Sequence, residues 1–341
     1  MRFEPGFLAT AIGTMPHTDP QQASSLVLSH LKDIPAWPQL PKLSPLESMQ
    51  AQFTVNLPGA VMEGEKLYVD LTRDIDEPLR KLLSDFEAGA IDSYATGPGS
   101  AAGLHAFLSA DVGTPRAVKG QITGPISCGL SIADQDQRPI IYHDIIADAL
   151  VKHLRLQAAW QEAQLKTLCP RTIIFMDEPH LSTLGSPFVS ISPEQVTGYL
   201  EGVLAGIEGI KGIHCCGNTD WPLVLGTSID VLSFDAFEYA QSLSLYPQEV
   251  KAFLERGGAI AWGIVPNNDE ALAKETPASL KDRLEETMAL TSRKGIPFRQ
   301  LVSQGLVTPS CGLASMSPEA AVRALELTAE LSGMMRQRYG N

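Results

Sequence analysis

Eight times along this chain a short apolar, β-branched run stops at Gly, Pro or a polar cluster, and most of the intervals between runs carry a helical pattern. The runs are "FLATAIGTM" (7–15), "PAWPQL" (35–40), "AVKGQITG" (117–124), "TIIFMDEP" (172–179), "KGIHCCG" (211–217), "DVLSFDAF" (230–237), "GAIAWGIV" (258–265) and "GLVTPSCG" (305–312). Near-continuous apolar runs, rather than alternating ones, indicate strands buried on both faces, which means a parallel sheet covered by helices. Eight such units predict an α/β chain folded as a (β/α)8 TIM barrel, a single catalytic domain over 1–341. The rival, a doubly wound open sheet, wants a Gly-rich dinucleotide loop after an early strand, and "AIGTMP" is not one. The clearest helices are 143–168 and 317–338, the second opening on Ser317 as N-cap with Pro318 in its first turn. Residues 53–70, "FTVNLPGAVMEGEKLYVD", break the rhythm and predict an inserted β-hairpin.

With 341 residues, 44% of them hydrophobic, the chain can bury a large core without disulfides. Its five cysteines, at 128, 169, 215, 216 and 311, are odd in number and irregular in spacing, unlike a secreted framework. The start has no signal-peptide pattern, and no run reaches the ~18 apolar residues a membrane span needs. A cytoplasmic location with reduced thiols is expected. The net charge of −13 argues against nucleic acid or an anionic membrane as partner.

In a barrel of this kind chemistry sits at the C-terminal ends of the strands. The polar residues there are Thr14, Gln39, Thr123, Asp177, Glu178, His214, Cys216, Asp235 and Cys311. His214 and Cys216, two apart, face the same way, while Cys215 faces away as a small buried apolar residue. With Cys311 they make an imidazole and two thiolates, a donor set suited to catalytic zinc, which keeps one exchangeable position. Taken alone, the pattern also fits two core cysteines and a satisfied histidine.

The segment "GIHCCGNTDW" (212–221) resembles the H-x-C-G-N segment of the superfamily that unites uroporphyrinogen decarboxylase, cobalamin-independent methionine synthase and the methylcobalamin:coenzyme M methyltransferases. Four more segments resemble the methionine synthase catalytic domain in order: "AIGTMPHT" (11–18), "KGQITGPIS" (119–127), "FMDEP" (175–179) and "TPSCGL" (308–313). The resemblance implies zinc held by His214, Cys216 and Cys311, with a carboxylate ligand from the following strand. Facing parity and the match of "DVLSFD" favour Asp235, and residue counting favours Glu238. It further implies homocysteine as acceptor, its amine on Asp177, its carboxylate on Thr14 near the Ile12 backbone, and Glu47 as a second amine-binding carboxylate. Glu178 fits a turn-capping role, and His17 a structural or exposed one.

The departures bear on the methyl donor. The folate-using synthases carry an N-terminal half that this sequence lacks, and an aromatic that stacks on the pterin where Ser131 falls here. These differences point to methylcobalamin, carried by a corrinoid protein, as donor, with Trp221 or Trp262 as alternative pterin surfaces for a folate. A methylcobalamin:coenzyme M-like enzyme acting on another thiol is the nearest alternative. Uroporphyrinogen decarboxylase-like chemistry lacks its arginines, since Arg2 is the only one before Arg73.

Overall fold

The computed structural model describes residues 5–340. Nine strands form among them: β1 (Leu8–Ala9), β2 (Ala60–Glu63), β3 (Lys66–Val69), β4 (Val118–Thr123), β5 (Thr172–Asp177), β6 (Ile210–Cys215), β7 (Val231–Asp235), β8 (Ala259–Val265) and β9 (Gly305–Pro309). Seven of them build one parallel sheet in the order β1-β9-β8-β7-β6-β5-β4, the order of a barrel opened between its first and third units.

The closed eight-stranded barrel is not reached. The run 35–40 forms no strand and crosses the gap through two isolated parallel bridges, Ala36 to Lys119 and Thr14 to Gln39. Pro35 and Pro38 have no N–H, so two of the six residues cannot donate to a ladder and its regular spacing is broken. Trp37 N donates to the Lys119 carbonyl at 3.2 Å and Gln39 N to that of Gly13 at 3.0 Å. The fold is therefore α/β and TIM-like, a curled sheet with a proline-interrupted seam.

The inserted hairpin is shorter than expected. Only 60–69 pair, as antiparallel β2 and β3, whereas Ala51–Thr54 are helical. The two long helices fall at Asp144–Lys166 and Pro318–Tyr339, the latter capped by Ser317 Oγ, which accepts from Ala320 N.

Period-2 alternation divides the core into two layers. One face of the strands carries Leu8, Ile173, Phe175, Val231, Ala259, Ala261 and Leu306, which pack together inside the curl. The other carries residues such as Ile174, Ile213, Cys215, Leu232, Phe234, Trp262 and Val307, which join the larger helix-facing core. The inward register continues upward through Asp177 on β5, His214 on β6 and Ser233 on β7. An apolar floor thus lies under a polar mouth at the C-terminal ends of the strands.

Candidate metal centre and acceptor site

His214 and Asp177 are register partners on adjacent strands, so the inward face of β5 and β6 ends in a carboxylate beside an imidazole. Cys216 lies one residue past β6 and Cys311 two past β9. The fold brings their sulfurs and a His214 ring nitrogen within 4.8 Å of one another. Among the described residues this is the one group of three such side chains that meets that spacing.

The three fit a metal that accepts nitrogen and sulfur. His214 is buried, its Nδ1 3.0 Å from Ser233 Oγ, and its Nε2 is enclosed without a partner. The Cys311 thiol and the nearby His214 ring lower the Cys216 thiol to about 4, and the contact between the two cysteines pushes Cys311 well above the usual thiol range. The three donor atoms thus lie within reach of a single ion. Cys215 points to the opposite face, buried in the outer core, with its thiol pushed up to about 12 by burial.

Asp235 and Glu238 stand outside the group. Asp235 Oδ1 accepts from Glu238 N at 2.8 Å, and burial raises its carboxyl to about 6. Glu238 is exposed. Asp235 thus closes the turn after β7 through Oδ1, while its carboxyl lies close enough to His214 to feel the ring's charge.

Asp177 is 6% exposed and its Oδ1 is buried with no partner. Burial raises its carboxyl to about 6, opposed by the charges of His214 and Lys119. A carboxylate oxygen so enclosed calls for a donor. Glu178 needs none: it accepts from Ile126 N, Ser127 N and Ser127 Oγ at 2.9, 2.7 and 2.6 Å, capping helix Pro125–Ser131 from across the sheet.

Thr14 packs its hydroxyl against Gly312, the residue after Cys311, so closely that a Cβ on Gly312 would collide with it. Thr14 O also accepts from Leu313 N. This joins the first and last strand ends. The Ile12 carbonyl is taken by Lys119 Nζ at 2.7 Å. Glu47, expected beside the substrate amine, instead uses its two oxygens on Leu40 N and Ala102 N, at 3.1 and 2.7 Å. His17 is buried, not exposed.

Trp221 and Trp262, the alternative pterin surfaces, are both 0% exposed. They flank Phe234 edge-on, at 5.8 and 5.6 Å between centroids, in the helix-facing core. Neither offers a face to a ligand. Ser131 is exposed at the end of its helix.

With this geometry in view, the chain can be set beside known proteins. No protein-family model and no curated protein matches the sequence. Solved structures do. A B12-independent methionine synthase from Shewanella sp. W3-18-1, in complex with selenomethionine, matches with a TM-score of 0.60 and 14% identity, over 97% of this chain and 98% of that one. A chain from Listeria monocytogenes, assigned as a vitamin-B12-independent methionine synthase, matches with a TM-score of 0.58 and 15% identity, over 96% and 97%. What is shared is the fold.

Sequence reasoning missed three residues at or under the site. Ser233 was visible as a polar residue with the facing parity of Asp235. His180 follows "DEP" directly, and its Nδ1 is buried without a partner, close enough to Cys216 to feel its charge. Lys119 is the one charged residue of β4, a buried strand that also carries Gln121 and Thr123, a signal in itself. No helix among the described residues is long and apolar enough to cross a membrane.

Proposed function

We propose that this chain is a methyltransferase acting on an amino-acid thiol, homocysteine by the resemblance of its motifs, with zinc held by His214, Cys216 and Cys311. Zinc bound there would supply Lewis acidity that turns an acceptor thiol into a thiolate at neutral pH. The chain's own residues do the rest. Ser233 engages Nδ1 of the His214 ring, which leaves the buried, unpartnered Nε2 for the metal. Asp177 receives the acceptor's ammonium group, and Thr14 lies at the same rim for its carboxylate. A methyl group passes to sulfur as its bond to the donor breaks, and no enzyme nucleophile is required.

The observation that carries this reading is the unpartnered Oδ1 of Asp177 on the strand next to His214. A thiol without an amine, such as coenzyme M, would leave that oxygen unsatisfied. The corrinoid donor and corrinoid protein expected from the sequence gain no support from the structural likenesses. Both neighbours carry the designation B12-independent and are matched over nearly their whole length.

The test is methyl transfer by zinc-loaded protein, with homocysteine as acceptor and methylcobalamin or methyltetrahydrofolate offered separately as donor. Methionine formed from either supports the acceptor reading and identifies the donor. Zinc-loaded protein that forms methionine from neither overturns it.

A further inference from the structure

Lys119 is fully buried at an inward position of β4. Its Nζ lies 2.7 Å from the Ile12 carbonyl, 3.1 Å from Gln121 Oε1 and 4.3 Å from the centre of the Phe175 ring. The interior around it holds Ile173, Phe175 and Ala117. A buried amine is weak evidence of stabilisation, because an apolar residue of similar volume would extend that layer without desolvating a charge. Its retention points to what it holds.

What it holds is a peptide group. The described chain has no cis peptide bond, so the Ile12 carbonyl and the Gly13 N–H point in opposite directions. With the carbonyl held on Nζ, the Gly13 N–H of the same trans peptide points away from the amine, one residue before Thr14, whose hydroxyl meets Gly312 next to Cys311. Gly13 has φ +142°, a backbone conformation that favours glycine, and a Cβ there would lie 2.5 Å from the Gln121 amide. Gln121 accepts from Lys119 and donates to the Trp37 carbonyl at 3.0 Å. Lys119, Gln121, Ile12 and Gly13 therefore lock as a unit, tied through Trp37 to the proline-interrupted seam.

We propose that Lys119 is a positioning residue for the carboxylate end of the amino-acid ligand, fixing the Ile12–Gly13 peptide so that the Gly13 amide faces that carboxylate. The inference rests on the acceptor reading above. Without the lysine the Ile12 carbonyl loses its buried donor, and the peptide is free to turn toward water.

Calorimetric binding tests this without turnover, using methionine and 3-(methylthio)propylamine, which keeps the amine and lacks the carboxylate. Because Lys119 also lies within reach of the Asp177 charge, Lys119→Met should weaken methionine binding roughly tenfold or more relative to the amine analogue and preserve zinc content. Lys119→Gln, which keeps an N–H donor for Ile12, should recover part of the loss and carries the same comparison where the methionine variant fails to fold. Equal weakening of both ligands would reveal a merely structural lysine and overturn the proposal, as would unchanged methionine binding. Wild-type protein that binds neither ligand would overturn the acceptor reading together with it. Wild-type binding that Lys119→Met leaves intact would overturn this inference alone.

Discussion

Ser233 Oγ stands 3.0 Å from His214 Nδ1, and the two residues are register partners across β6 and β7. The serine thus engages one ring nitrogen while Nε2 stays buried and unpartnered, in a residue whose ring lies within 4.8 Å of the Cys216 and Cys311 sulfurs. Partners behind a ligating histidine typically contribute 10- to 100-fold to metal affinity. Ser233→Ala should lower zinc affinity by roughly that factor with an unchanged circular dichroism spectrum, measured by competition with a chromophoric chelator. Unaltered affinity would mean that the ring is held by packing alone.

Cys216→Ser and Cys311→Ser should each bring zinc well below about one per chain while the protein still melts cooperatively, since both residues lie past strand ends and outside the ladders. Cys215→Ala should keep its zinc, because that side chain belongs to the helix-facing core. Elemental analysis of purified variants decides. Full zinc in Cys311→Ser would remove that cysteine from the site.

Asp177→Asn addresses acceptor recognition. Losing a charged partner should weaken apparent binding of homocysteine by about 1.5–3 kcal/mol, seen as a rise in KM, and affect a thiol without an amine far less. Equal losses for the two acceptors would assign Asp177 a structural role.

Far from the site, His153 is fully buried, and burial lowers its pKa from 6.5 to about 4. The unfolded chain therefore binds the proton more readily than the folded one between these values. Stability from this group is complete above about pH 6.5 and is lost as pH falls toward 4, by roughly 3 kcal/mol at 1.4 kcal/mol per unit. Denaturant unfolding of His153→Leu across that window should show a flatter pH profile than wild type. Identical slopes would assign the acid sensitivity to other groups.

The sequence alone determined the order of the parallel strands and the place of Asp177 and His214 at their C-terminal ends, because residues buried on both faces of a strand are mostly apolar until the strand ends; their shared inward register came from the sheet. Seven of the eight runs became strands of one sheet; the eighth did not, because Pro35 and Pro38 cannot donate, a local fact whose consequence depends on the neighbours. The hairpin was visible from its turn chemistry, but its start was not, because "FTV" favours strand in isolation and turns helical in context. The site divides in the same way. Short-range spacing placed His214 with Cys216 and set Cys215 apart. Its place at another strand end already grouped Cys311 with them, and the fold brings the three together. Only the tertiary structure could give both Glu47 oxygens to backbone amides, engage Asp235 with its own loop, and bring Lys119 up to Ile12 across 107 residues. Partner choice for a buried polar group depends on which donors the closed fold leaves within about 3 Å, and chain separation does not encode that distance.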